Sequence, residues 1–482
     1  MHITMDAKKG RRKVGLFHHA VNGDSSSSSP EHHQLKSTSK RARRYCSIEI
    51  PPEREGSCES ESEDPRDFER PGGYCIINPG DRLKHGRYTA LEKMGWGHFS
   101  TVWLCYDWIH KCVVGIKIQK SAKNYSESAK EEIVLLQEVR NRGGRRWPVV
   151  EILDHFEHFG RNGRHVCLVF EVLGKSLLSL IHRFDEKGLP LELVRRIAVN
   201  VMEGLLFLHE NCRFIHTDIK PENVLILPLR KEFDMLNLDA QGYAQCLGMQ
   251  KLLDTSSAAT KNLTKNQKKR LKERRKRVLG SEMSDKYRTT CNGNTDGVSL
   301  TKVVHSDEAY ARGEVKIIDM GNALYRDAHN SPEIQTRQYR CPEVILQAPY
   351  GASADIWSAA CLFFELVTGE YLFEPRKCRQ YAQDEDHLAL MMECLGPIPQ
   401  YVAERGHRCR DFFDRYGNLR NIKKLRCCPL ESILIDEYHF SIADAGLLAS
   451  FLSPMLRFDP DLRATARECL SHPFLTKARR GK

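Results

Sequence analysis

The sequence predicts an α+β fold of two lobes, a small β-rich lobe followed by a larger α-helical one that an insertion interrupts. Three observations carry this. Short β-branched and aromatic runs separated by turn residues begin at Tyr88, helical spacing dominates after Gly174, and all periodicity fails between Leu227 and Gly313. With 482 residues, 41% of them apolar and 28% charged, the chain has material for a substantial core and two or three domains.

Residues 1–70 are rich in Ser, Glu and Arg, with Ser25 to Ser29 followed by Pro30 and an acidic stretch from Glu53 to Glu69. They read as a disordered tail. Residues 71–173 are the small lobe. Its strands are Thr101 to Tyr106, Cys112 to Ile118 and Val166 to Val172, and its one helix is Ser126 to Val139, where Ala129, Ile133 and Leu136 recur at three-to-four spacing. Residues 174–228 and 313–478 are the two parts of the large lobe, with helices over Pro190 to Glu210 and Tyr350 to Thr368. Residues 229–312 are a basic spacer, expected to be largely disordered. The apolar pieces on either side of it, Val224 to Leu227 and Val315 to Ile318, are suited to pair as a hairpin. Lengthening the loop between them costs only ~0.6 kcal/mol per doubling. No internal repeat is detectable.

The net charge is +11, but residues 229–312 hold 17 basic and 10 acidic side chains, a surplus of 7, and residues 1–70 hold 13 and 12. Only +3 is left for the rest, so the basic excess belongs to a segment and no direct nucleic-acid partner is expected. The tracts Lys40 to Arg44 and Lys268 to Arg277 read as nuclear-import signals or as solvated linkers. Every long apolar run carries acidic residues and the first residues are charged, so neither a membrane span nor a signal peptide is expected. The 17 cysteines include no C-x-x-C pair, which argues against a zinc site and for reduced, buried thiols in an intracellular compartment.

Chemistry enters at Gly95-Trp96-Gly97-His98-Phe99-Ser100-Thr101-Val102. Glycines at a strand turn let backbone amides approach phosphate oxygens, although an ordinary hairpin has the same look. Lys117, flanked by strand apolars, suits a phosphate partner or an edge strand, and Glu132 on the next helix is placed to pair with it. His216-Thr217-Asp218-Ile219-Lys220-Pro221-Glu222-Asn223, followed after the spacer by Asp319-Met320-Gly321, decides between these readings. Phosphoryl transfer needs a carboxylate to orient the attacking hydroxyl and take its proton, a cation near the γ-phosphate and oxygen ligands for Mg²⁺. Asp218, Lys220, and Asn223 with Asp319 supply them in that order.

These motifs resemble those of the protein kinases, and three further pieces fit: Cys341-Pro342-Glu343, Asp355-Ile356-Trp357-Ser358, and Arg463, suited to a buried ion pair with Glu343. Within the kinases, R-P-G-G-Y at 70–74, G-W-G-H-F-S-T-V-W-L, H-T-D-I-K-P-E-N, I-Q-T-R-Q-Y-R at 334–340 and the splitting insertion resemble the SR-protein kinase family over about residues 64–478. The resemblance implies a bilobal kinase fold and ATP- and Mg²⁺-dependent phosphorylation of serines in Arg-Ser tracts of splicing factors, in cytoplasm and nucleus. It also counts Gly95, Trp96, Gly97, Ser100, Val102, Lys117, Glu132, Glu171 and Leu173 as nucleotide-binding. Glu370, Asp386 and Glu393 match the family's docking acids, and Arg337 and Arg340 its basic pocket beside the substrate serine. The residues leave alternatives: acids at a helix start, Asp384 and Glu385 above all, are also caps and dipole partners, and the two arginines also suit tying down the activation segment.

Thr217 stands where most kinases carry an arginine that pairs with an activation-loop phosphate, so activity without that phosphorylation is expected. Two departures from the family are Gly115, in place of an alanine, and Gln383, in place of an arginine. A LAMMER-type dual-specificity kinase is the neighbouring reading, through His387-Leu388-Ala389-Leu390-Met391-Met392-Glu393, though Cys394 replaces its final arginine. A pseudokinase scaffold is the non-enzymatic one. A monomer is expected.

Overall fold

The computed structural model describes residues 51, 65–259, 264, 266, 269, 300, 306–327 and 333–479. The tail expected over residues 1–70 and both basic tracts lie outside the described residues, save Pro51, Lys269 and the last six residues of the tail. Those six belong to the fold: Pro65–Phe68 forms a 3₁₀ turn that leads into the small lobe.

The small lobe is an antiparallel sheet of six strands, β1 (Arg82–Leu83), β2 (Tyr88–Gly97), β3 (Ser100–Asp107), β4 (Cys112–Gln119), β5 (Ile152–Gly160) and β6 (Gly163–Phe170), in the order β1-β2-β3-β4-β6-β5. The helix α1 (Lys123–Asn141) follows β4. All three expected strands are present, but β6 stops at Phe170, and Glu171 to Gly174 run on outside the sheet toward the large lobe. The run Trp103-Leu104-Cys105-Tyr106 is buried without a break, although successive residues of a strand face opposite ways. Trp103 and Cys105 pack with Val114, Ile116 and Cys167 on one face. Leu104 and Tyr106 pack on the other with Leu91, Val113 and Val172, and there the cover comes from the insertion.

The spacer is therefore not disordered at its start. Arg230–Ala259 is a 30-residue helix, and Leu236, Ala240 and Ala244 are buried on the sheet. Spacing of three to four puts those positions on one stripe. Asn237 Oδ1 accepts the N–H of Val113 at 2.8 Å, satisfying a backbone donor of β4. A strand pair was legible in the flanking pieces, and the helix between them was hidden because the buried stripe is narrow and apolar residues such as Met235 and Leu238 also stand on its exposed side.

This helix is α4. Before it in the large lobe come α2 (Leu177–Arg183), α3 (Leu191–Leu206), a π-helical turn (Phe207–Cys212), β7 (Phe214–Ile215) and β8 (Val224–Ile226). After it come α5 (Asp307–Arg312), β9 (Val315–Ile317), β10 (Leu324–Tyr325), α6 (Pro342–Ile345) and α7 (Ser353–Thr368). The chain closes with α8 (Gln383–Leu395), α9 (Gln400–Ala403), α10 (Cys409–Phe412), α11 (Leu430–Asp436), α12 (Ile442–Met455), α13 (Ala466–Ser471) and α14 (Pro473–Arg479). Every residue of α7 from Ala354 to Thr368 is buried, so this helix is the axis of the lobe. β8 and β9 pair as expected, Val224 opposite Ile317 and Ile226 opposite Val315. Arg463 meets Glu343 through two bonds of 2.6 and 2.9 Å with both side chains sealed from solvent. Breaking such a pair strands a buried charge, so it fixes geometry more than it adds stability.

Leu236→Ala should lower stability by about 2–4 kcal/mol through the cavity left under β3. Leu238→Ala, at a position 74% exposed on the same helix, should stay within about 0.5 kcal/mol of the parent; urea unfolding of both variants checks this.

Candidate active site

The cleft is organised by Asp355, in the first turn of α7 and inaccessible to solvent. Its Oδ1 accepts the N–H of Thr217 at 2.8 Å, and its Oδ2 accepts the N–H of His216 at 2.7 Å and lies 2.8 Å from His209 Nε2. His209 sits on the π turn at the end of α3, a widening that re-aims a side chain. Thr217 has φ +70°, a costly conformation for a β-branched residue. Besides the bond to Asp355, its hydroxyl donates to the carbonyl of Asn322 at 2.8 Å, tying the catalytic loop to the D-M-G turn.

Asp218 follows and carries three donors. Lys220 Nζ is 2.9 Å from Oδ2, Asn223 Nδ2 donates to Oδ2 at 3.0 Å, and the Thr336 hydroxyl donates to Oδ1 at 2.7 Å. Lys220 also donates to Thr336 at 2.9 Å. A carboxylate held this way is oriented by its donors toward the cleft, the geometric condition for taking a proton from a hydroxyl brought to it. A cleft of about 440 Å³ opens beside it, with Thr217, Gln335, Thr336 and Arg340 in its wall.

On the small-lobe side, Lys117 Nζ lies 3.0 and 3.1 Å from the two oxygens of Glu132 on α1 and 3.4 Å from Asp319 Oδ1. Burial works against the charge of Lys117, but Glu132 and Asp319 outweigh it and hold its pKa above the usual lysine range. Burial pushes Glu132 upward, with Lys117 pulling the other way. Asp319 is held below the usual carboxylate range, first by Lys117, against burial, and also by His216 and the N–H of Gly321. Asp319 has φ +64°, so the D-M-G turn begins in a strained conformation.

Gly95, Trp96 and Gly97 end β2, and Ser100 and Val102 begin β3, with Gly97 opposite Ser100 and Gly95 opposite Val102. A Cβ on Gly95 or Gly97 would find nothing within 4 Å, so the glycines leave open space above the hairpin. Leu173 is buried with Leu168 and Ala323. The Glu171 side chain turns away, accepting Lys316 Nζ at 2.5 Å and the N–H of Glu151 at 3.1 Å, so its backbone is what remains for a nucleotide. A methyl on Gly115 would meet only Glu171 O at 3.7 Å and Phe170 O at 4.0 Å, so alanine fits there.

The five acids read as docking or capping groups have separate fates. Asp384 is spent on two guanidinium groups, Arg337 at 2.6 Å and Arg408 at 2.7 Å. Glu385 is buried and accepts the N–H and Nδ2 of Asn421, both at 2.7 Å, so both work as scaffold. Asp386 accepts the N–H of Arg376 at 2.7 Å, Glu393 that of Arg426 at 2.9 Å, and Glu370 the hydroxyl of Tyr438 at 3.2 Å. Asp386 and Glu393 share α8, which begins at Gln383, four residues before the start expected near His387. Arg340 donates to Glu333 and to the carbonyl of Gln335, both at 2.9 Å, so both arginines are engaged within the chain.

Sequence reasoning missed Gln335 and Thr336. Gln335, buried with φ +69°, donates to Ala354 O and Ser358 Oγ at 2.9 Å and accepts the N–H of Cys341 at 3.0 Å. Its place just before the arginines was the one available signal. The donor set of Asn223 and Asp319 is of oxygens, and Nδ2 of Asn223 is turned to Asp218, which leaves its Oδ1 as the atom for a hard divalent cation.

A base, a cation pair, a glycine hairpin and an Asn/Asp oxygen set between a small sheet and a helical lobe define a protein kinase. The protein kinase domain matches residues 88–275 and 305–475. Protein kinase dsk1 of Schizosaccharomyces pombe is 38% identical over 452 residues, covering 84% of this chain and 83% of the relative. SRSF protein kinase 3 of Mus musculus is 35% identical over 518 residues, covering 87% and 91%. Serine/threonine-protein kinase SRPK of Physarum polycephalum is 38% identical over 420 residues, covering 86% and 92%. The chain belongs to the SR-protein kinase family of serine/threonine protein kinases, and the family uses ATP and a divalent metal.

Tyr339, between Arg337 and Arg340, donates to Glu365 at 2.5 Å. Burial pushes the Glu365 carboxyl up to about 7, against the pull of the Tyr339 hydroxyl. The folded state then holds the proton more tightly than the unfolded chain, whose carboxyl titrates near 4.5. This contribution to stability is full below about pH 4.5 and is lost as pH rises through about 7. Glu365→Gln should remove that part of the decline, and urea unfolding of both proteins at pH 5.5 and 8 measures the difference.

Proposed function

We propose that this kinase transfers the γ-phosphoryl group of ATP, with Mg²⁺, to serines in Arg-Ser tracts of splicing factors, in cytoplasm and nucleus and without prior phosphorylation of its activation segment. The observation that carries the reading is the neutral wiring of that segment. Thr217 bonds to Asn322, Gln335 to Ala354, Ser358 and Cys341, and Thr336 to Asp218. The chain's own hydroxyl and amide groups make the contacts that an arginine–phosphate pair supplies in switched kinases.

In this reading Asp218 takes the proton of the serine hydroxyl while Lys220, 2.9 Å from it, balances negative charge as it builds. Lys117, oriented by Glu132, faces the α- and β-phosphates. Asn223 and Asp319 hold Mg²⁺, which when bound neutralises phosphate charge. Glu370, Asp386 and Glu393 support the substrate class: arginines of a tract bind carboxylates in charge-assisted, often bidentate pairs. The name of the mouse relative points the same way, toward SRSF proteins.

Phosphate transfer to an Arg-Ser repeat peptide should greatly exceed transfer to a Lys-Ser control, and equal use of both would remove the substrate assignment while leaving the kinase. Asp218→Asn should lower kcat by a factor of roughly 10² or more, whereas unchanged activity would remove the base. Activity of the recombinant enzyme should survive phosphatase treatment; its loss and return on rephosphorylation would overturn the unswitched reading.

A further inference from the structure

We propose that Tyr74 is a positioning residue for the glycine hairpin, presented by a strap that precedes the sheet and fixes the phosphate-binding backbone in place. The R-P-G-G-Y stretch identified in the sequence has no part in the chemistry above, and its geometry explains why those residues are there. Tyr74, 3% exposed, donates its hydroxyl to the carbonyl of Gly97 at 2.8 Å, with the carbonyl of His98 at 3.4 Å. The carbonyl and the following N–H of a trans peptide point to opposite sides. Holding Gly97 O toward the strap therefore holds the N–H of His98 toward the opposite side of the hairpin. Gly97 is exposed and a Cβ there would meet nothing within 4 Å, so no side chain at that position helps the β2–β3 pairing to set this plane.

The strap is built to hold the tyrosine still. A Cβ on Gly73 would lie 1.8 Å from the carbonyl of Asp67, so only glycine permits the turn, and the N–H of Tyr74 donates to that same carbonyl at 2.8 Å. Asn162, in the β5–β6 turn, donates its Nδ2 to the carbonyls of Phe68 and Tyr74 at 2.8 and 2.7 Å. Lys120 Nζ stands 4.3 Å over the Tyr74 ring and 2.7 Å from Asp67 Oδ2. The carbonyls of Gly72 and Gly73 accept the N–H groups of Ala122 and Ser121, at the entry to α1. One strap thus joins the hairpin tip to the start of the helix that carries Glu132, and the loop and the ion pair at Lys117 share a support.

This rests on the hairpin's reading as the phosphate loop and is independent of which peptide is the substrate. Tyr74→Phe keeps the ring and deletes one hydroxyl. In the full chain with Mg²⁺, the Kd for ATP by calorimetry and the KM for ATP should rise roughly 3- to 10-fold, the effect of one neutral hydrogen bond. The KM for the peptide and the melting temperature should stay at parent values. Asn162→Ala, which cuts the anchor without touching the hairpin, should move ATP affinity in the same direction. Unchanged ATP affinity in Tyr74→Phe, or a parallel rise of both KM values with a lowered melting temperature, would overturn the proposal. A wild-type enzyme that binds ATP but ignores Arg-Ser peptides would remove the substrate assignment alone.

Discussion

A carboxylate removed from water is tolerable only when its lone pairs are filled, and Asp355 is filled by the groups the active site has to locate. Two backbone N–H groups of the catalytic loop and one imidazole converge on it. It also sits in the first turn of α7, where the N-terminal end of the helix favours negative charge. The loop is thus registered on the most rigid element of the large lobe, a helix buried on every side. Thr217 accepts an unfavourable φ because its N–H is committed to Asp355, and from that conformation its hydroxyl reaches Asn322. Fixing Asp355 therefore fixes Asp218 and, one contact further, the turn that carries Asp319.

The same economy governs the activation segment. Gln335 uses both ends of its amide, donating to α7 through Ala354 and Ser358 and accepting from Cys341, so one neutral side chain binds the segment to the lobe's axis. A neutral amide that is fully satisfied in a buried site carries no charge to desolvate. Thr336 then reaches Asp218 and Lys220 from a backbone already fixed by its neighbour. Order travels from α7 through Gln335 to Thr336 and Asp218 by hydrogen bonds alone.

Where a motif specifies a pair, the sequence was readable. Lys117 with Glu132, β8 with β9, and Glu343 with Arg463 are all found. Their partners are far apart in the chain, but each residue type has only one sensible use in its setting: a buried lysine or arginine demands a carboxylate, and two short apolar strands demand each other. The misses have a different origin. α4 has the right spacing at Leu236, Ala240 and Ala244, yet two of those three are alanines, and a narrow alanine stripe gives little contrast when Met235 and Leu238 stand exposed off it. What demands it is a surplus elsewhere, the unbroken apolar run of β3, whose second face packs against α4. The role of Tyr74 was invisible because its acceptor is a backbone carbonyl, which every sequence has at every position.

The acids of α8 show how far a cluster of like charges can be resolved by helical geometry. Asp384, Glu385 and Asp386 are consecutive, and each step along a helix turns the side chain by about 100°. Three neighbours therefore face three environments: Asp384 meets Arg337 and Arg408, Glu385 turns inward to Asn421, and Asp386 turns to the N–H of Arg376. Two turns on, Glu393 returns to the side of Asp386 and again holds a backbone N–H, that of Arg426. A guanidinium group neutralises a carboxylate, whereas a backbone N–H orients one and leaves its charge, so the seven-residue spacing separates the acids that can still attract a cation from those already neutralised or buried. Arg337 is drawn to Asp384 by the same division, which places a basic side chain of the activation segment two residues along the helix, about 200° around it, from Asp386.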